Sequence, residues 1–267
     1  MADGGSYLDF ENIKNQAKTA DVGTPDPKKT MIFFMMLSLI YGIFVSTTIL
    51  SSTSIEQVEE NSTNFIFILI YILLLIIGMY FLNLNIAKSI CQNDTAQYSN
   101  VFFATILPWI IVFGILYFIL EIFTGWVRPF SNTIGYVVVS LLGVEDKIKN
   151  LLNKDPKEQS ITQALIQIEQ NKSKFINEFE PDQSQFKEFI ERLRKEKLTI
   201  TDSIGNKISE DELELFKLVN IKHIIGKLMW YILAGTVISS ISYNYIINIK
   251  CTQTLKDVEK LIESQNK

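Results

Sequence analysis

The sequence predicts an all-α membrane protein: four transmembrane helices, a re-entrant or interfacial segment, and a small helical extramembrane domain. Three observations carry this. The apolar residues of the 267-residue chain fall in blocks, and no charged residue occurs in 31–50, 65–82, 101–120 or 228–249. Each block with its flanks approaches the roughly 20 residues that a helix rising about 1.5 Å per residue needs to cross a hydrocarbon core about 30 Å thick. Between the third and fourth blocks the composition changes, and 144–223 carries 14 basic and 16 acidic residues in helical patterns.

Residues 1–30 form a polar N-terminal segment containing Pro25 and Pro27, unlike a secretory leader with its early apolar region, so the first span is expected to stay in the mature protein. Within it, Phe10, Ile13 and Ala17 share one face of a short helix from Ser6 to about Ala20. Spans follow at about 31–50, 64–87 and 101–123, the third carrying Pro108, which predicts a kink. Trp126 and Arg128 suit the headgroup level, and Pro129 with the turn residues around it breaks the helix there. The next apolar piece, about 133–143, is too short to cross and is predicted to be re-entrant or interfacial.

The domain at 144–223 reads as helices. Ser160 with Gln163 and Ser209 with Glu212 are capping-box signatures. Ile161, Leu165, Ile168, Phe175 and Phe179 keep one apolar stripe, and Phe186, Phe189, Ile190 and Leu193 keep a second beyond Pro181. The stretch from Leu198 to Ile208, with Gly205-Asn206, predicts a turn or small hairpin. The helix opened at Ser209 is expected to run into the last span, 224–249, as a stalk, leaving a tail at 250–267. Lys28 and Lys29 flank the first span, whereas the connection after it carries Glu56, Glu59 and Glu60 and no cation. Positive residues favour the cytoplasmic side, so both termini are expected there and the domain opposite.

The chain offers little for catalysis. No nucleophile elbow, phosphate loop or metal-binding helix motif occurs, and His223 is the only histidine, so no enzyme, cofactor or metal is expected. The balanced charge of the domain lacks the basic stripe that nucleic acid needs. Glu121, at the edge of the third span, is the candidate intramembrane acid, with the headgroup region or Arg128 as its expected partner. Gly235, Ser239 and Ser242 fall on one face of the last span, a small-residue pattern for close helix packing within the bundle or between copies. Cys91 and Cys251 flank spans, as free thiols or palmitoylation sites. Thr133-Ile134-Gly135-Tyr136 looks like a potassium-channel filter, but Val137 stands where that family has glycine.

The block Gly125-Trp126-Val127-Arg128-Pro129-Phe130-Ser131-Asn132-Thr133-Ile134-Gly135-Tyr136 resembles a G-W-x-x-P-F-S-N-T-x-G-Y element in membrane proteins of nucleocytoplasmic large DNA (giant) viruses. The resemblance covers about 12 residues. It implies a minor capsid or structural component of the virion's internal membrane, with capsid or other virion membrane proteins as partners beside the lipid bilayer. Two other functions stay open from the residues alone: an ion channel or transporter using Glu121 and the polar last span, and a host-membrane remodelling factor that is not packaged. If the apolar blocks lie in lipid, washing membranes with alkaline carbonate leaves the chain in the pellet; release into the supernatant would refute spanning.

Overall fold

The computed structural model describes residues 28–91, 98–153, 156, 158–199 and 209–249. The predicted helix at Ser6–Ala20, the turn at Gly205-Asn206 and the tail 250–267 lie outside them. Among the described residues ten helical segments follow in order: α1 (Lys28–Leu50), α2 (Ile55–Thr63), α3 (Phe65–Ile90), α4 (Tyr98–Ile122), α5 (Thr124–Leu141), α6 (Val144–Leu151), α7 (Gln159–Gln170), α8 (Lys172–Ile176), α9 (Gln183–Lys195) and α10 (Glu210–Ile247). No strand occurs among the described residues beyond an isolated bridge between Leu152 and Thr199. Among the described residues four helical stretches are long and apolar enough to cross a membrane: α1, α2 with α3, α4 and α10.

The bundle buries one stripe per helix and turns its oiliest side chains outward. On α1 the buried residues are Thr30, Phe34, Ser38, Gly42, Val45 and Ile49, a spacing of three and four that keeps one face inward. The opposite face exposes Met36 and Ile43, 59% and 67% accessible, and α4 likewise exposes Phe118 at 64%. Large side chains this open, on every face of the bundle, suit acyl chains and not water.

Helix directions follow from which residues touch. Gly42 meets Leu228 and Gly235 meets Phe34, so α1 and α10 run antiparallel and Lys28 lies at the same end as Ile247. On α4, Ala104 bonds Ser242 while Glu121 bonds Lys227, so α4 also runs opposite to α10. On α3, Tyr71 reaches Ser38 and Gly78 meets Phe33, which completes the alternation. The end holding Lys28 and Ile247 is called the terminal end below, and the other the domain end.

Pro108 shapes the bundle interior. It lacks an N–H and its ring crowds the carbonyl four residues back, so Ala104 O loses its helical donor. The turn that follows, Trp109–Phe113, is π-helical, and Ser242 Oγ donates to Ala104 O at 2.9 Å across the helix pair. Gly235 sits under the Phe34 ring, where a Cβ would come within 2.2 Å of Phe34 Cζ, and Trp109 closes the same contact. Gly235 and Ser242 thus pack inside one bundle, against α1 and α4.

At the domain end, α2 begins at Ser54, whose hydroxyl accepts from Gln57 N at 3.3 Å. Its glutamates face the domain: Gln183 donates from N to Glu59 and from Nε2 to Glu56, and Lys187 lies 3.6 Å from Glu56. The acidic connection is therefore the seat of α9. The Ser209–Glu212 capping box is formed, and Arg194 pairs with the buried Glu212. The capping box expected at Ser160 is not formed; α7 starts one residue earlier, at Gln159, after an N-cap residue, Glu158, that makes no side-chain cap bond. α10 then runs unbroken for 38 residues, about 57 Å at 1.5 Å per residue, from domain core to terminal end.

One expectation gains detail and one changes. The segment predicted at 133–143 begins at Thr124 and runs antiparallel to α10, and so onward in the direction of α4: Trp126 lies beside Trp230, Ser131 beside Gly226 and Gly135 beside Lys222. Its buried face is matched to the upper part of α10, and with α6 it makes a bent pair of the kind a broken span or a re-entrant loop forms. The chain bends by 85° between α5 and α6, where Gly143 takes a φ of +85° that favours glycine. Cys91, 5% exposed at the end of α3, is disulfide-bonded and so is no free thiol. Replacing Ser242 by Ala should leave Ala104 O unpaired and cost about 1–3 kcal/mol, read as a lower thermal midpoint in detergent; an unchanged midpoint would show the bond to be dispensable.

Candidate functional site

The site is the seam where α5, which carries the signature block, lies on α10 and meets the helical domain. Val127, Ser131 and Gly135 recur every four residues and form the buried stripe of α5. Both helices place a glycine at the contact. A Cβ on Gly135 would lie 2.5 Å from Lys222 O, and one on Gly226 would lie 2.8 Å from Ser131 N. Backbone therefore touches backbone, and a larger residue at either position would force the helices apart.

That approach brings three tethers into register. Lys222, 3% exposed, donates from Nζ to Asn132 Oδ1 at 3.1 Å, Asn177 Oδ1 at 2.9 Å and Ile176 O at 3.3 Å, joining α10, α5 and the α8 turn at one atom. Lys222 lies above the charge-free stretch of α10; burial pushes its ammonium down to about 8, with the Glu180 carboxylate opposing and Arg128 adding to the shift. Arg128 pairs with Glu180 of the domain. Trp230 Nε1 donates to Trp126 O at 2.7 Å, and the Trp230 ring stands edge-on to Phe130 at 5.2 Å. Further along, Tyr136 OH donates to Glu145 Oε1 at 3.1 Å and Thr133 Oγ1 to Pro129 O at 2.6 Å, while a Cβ on Gly125 would meet nothing.

Residues 131–141 are helical, so the carbonyls of Thr133 to Tyr136 lie along a helix and do not form an ion filter. Glu121 is paired with Lys227 at 2.6 Å, a partner outside the two the sequence suggested, the headgroup region and Arg128; Lys227 stands immediately before the charge-free stretch 228–249 and faces α4, whereas Arg128 is turned to the domain. Sequence reasoning missed Lys222, Lys227 and the domain asparagine Asn177. Two lysines within six residues of a span's start, five apart on one helix, were the available signal. Among the described residues no group of three or more metal-capable side chains converges. The arrangement holds α5, α10 and the domain in fixed alignment.

The fold and this seam define a multi-pass, all-α membrane protein with a domain clamped to its bundle. No protein family, curated protein or solved structure matches the chain.

The tethers differ in burial, and that ranks their worth. Lys222→Met strands three acceptors in a nearly dry site and should cost about 2 kcal/mol or more. Arg128→Gln breaks a pair whose arginine side chain is 59% exposed and should cost under about 1 kcal/mol. Hydrogen exchange at 172–180 reads both, and equal protection loss in the two variants would contradict this ranking.

Proposed function

We propose that the chain is a structural protein of a viral internal membrane, holding the bilayer against capsid or core proteins through its helical domain. The observation that carries this reading is α10, whose upper half is domain core and whose lower half is a span. A load on the domain passes to the bilayer through one continuous helix with no hinge. The seam supports it further, since Lys222 and Arg128 tie the domain to the bundle and Trp230 fastens α10 to α5 beside them. The resemblance of 125–136 to the giant-virus element supplies the viral setting and lies on this seam.

The pore reading draws less support. The Glu121 carboxylate is tied to Lys227, and the hydroxyls of Thr236, Ser240 and Ser242 are spent on backbone carbonyls. Two observations bear on sidedness and pull apart. Lys28, Lys29 and Lys88 favour a cytoplasmic terminal end, whereas a disulfide at Cys91 belongs to an oxidising compartment. Cysteine-accessibility labelling at Ser160 and Ser264 in intact membranes is expected to report opposite sides and names the compartment of each. For the function itself, cross-linking mass spectrometry on purified particles is expected to join domain lysines such as Lys187 to coat or core proteins. Absence of the chain from particles would overturn the proposal.

A further inference from the structure

At the terminal end, far from the seam, α1 and α10 part around a groove of about 380 Å³ lined by Lys28, Thr30, Ser239, Ser240, Tyr243 and Asn244. Ser239 in its wall is only 6% exposed, and its hydroxyl has no hydrogen-bond partner. Its neighbours differ. Thr236, Ser240 and Ser242 each donate to a backbone carbonyl, of Ile232, Thr236 and Ala104. A buried hydroxyl is costly unless something completes it.

The groove is also where α1 begins. The first turn holds Lys28 and Lys29 and no acid. The positive end of the helix dipole adds to the two ammonium charges, which makes a setting for phosphate. Its depth fits a lipid and not a dissolved ion. Lys28 and Thr30 stand immediately before the charge-free stretch 31–50, and Ser239 to Asn244 fall in the second half of 228–249 beside them, so the groove opens where headgroups meet acyl chains. Beyond it, α1 and α10 expose Ile32, Met36 and Val237, apolar surface for the chains of a bound lipid.

We propose that this groove binds the phosphate headgroup of an anionic phospholipid. The phosphate takes the Lys28 ammonium and the α1 dipole, the Ser239 hydroxyl donates to a phosphate or glycerol oxygen, and the Asn244 amide completes the rim. The inference needs only that the chain spans a bilayer, so it stands or falls apart from the viral reading.

The full-length chain in phosphatidylcholine nanodiscs, titrated with phosphatidylglycerol and read by native mass spectrometry, tests it. Saturable retention of one anionic lipid is expected, about fivefold weaker in Lys28→Gln. Ser239→Val, which removes the hydroxyl and fills its space, should abolish retention, and Ser239→Ala, which adds no bulk, should weaken it without lowering the thermal midpoint. Lys88→Gln changes charge at the same end outside the groove and should have no effect. Equal weakening by Lys88→Gln and Lys28→Gln, or no preference over phosphatidylcholine, would reduce the effect to diffuse surface charge and overturn the site. Glycerophosphate competing at the same concentration as the lipid would overturn the lipid assignment.

Discussion

Backbone-to-backbone contact between α5 and α10 is the constraint on which the domain end depends. With hydrogen at Gly135 and Gly226, Ser131 N and Lys222 O come close enough that the side chains beside them meet at fixed distances. Lys222 then reaches acceptors on two other elements, and Trp230 reaches a carbonyl. Separating the helices by one methyl layer would put those acceptors beyond hydrogen-bonding range. The domain is thus positioned by what two residues lack.

The bundle and the domain do not have separate interiors. Val45, Ile49, Ile55 and Val58, from the upper end of α1 and from α2, share one apolar cluster with Phe186, Ile190, Leu215 and Phe216. A domain of about 80 residues is marginal alone, and here it borrows its floor from the membrane helices. The electrostatics follow the same economy: the cations nearest the bilayer on α10, Lys222 and Lys227, point inward to amide oxygens and to Glu121, which removes charge from the lipid-facing surface.

This explains how one chain can be strongly apolar and still carry a charged module fixed to its bundle. α10 changes solvent along its length, from domain core to bilayer, while keeping a single helical register. The helices that join it, α1, α4 and α5, each bring their small or aromatic residues to its face, and Gly42, Gly78, Gly135, Gly226 and Gly235 each mark a close approach.

Much of this is local and therefore readable in one dimension. Uncharged stretches near 20 residues specify spans because hydrocarbon accepts no unsatisfied backbone, and the Ser209–Glu212 cap and the apolar stripes of α7 and α9 specify helices by near-neighbour rules. What depended on partners far along the chain was not readable. That Lys222 meets Asn132 and Asn177, that Glu121 chooses Lys227 over Arg128, and that the acidic turn after α1 seats α9 are facts about which surfaces touch. Span positions and helix starts are written in residue order because each depends on neighbours within a few turns. The path of α5 and the clasp on Lys222 were decided only in three dimensions, because they depend on how closely two distant glycines let their helices lie.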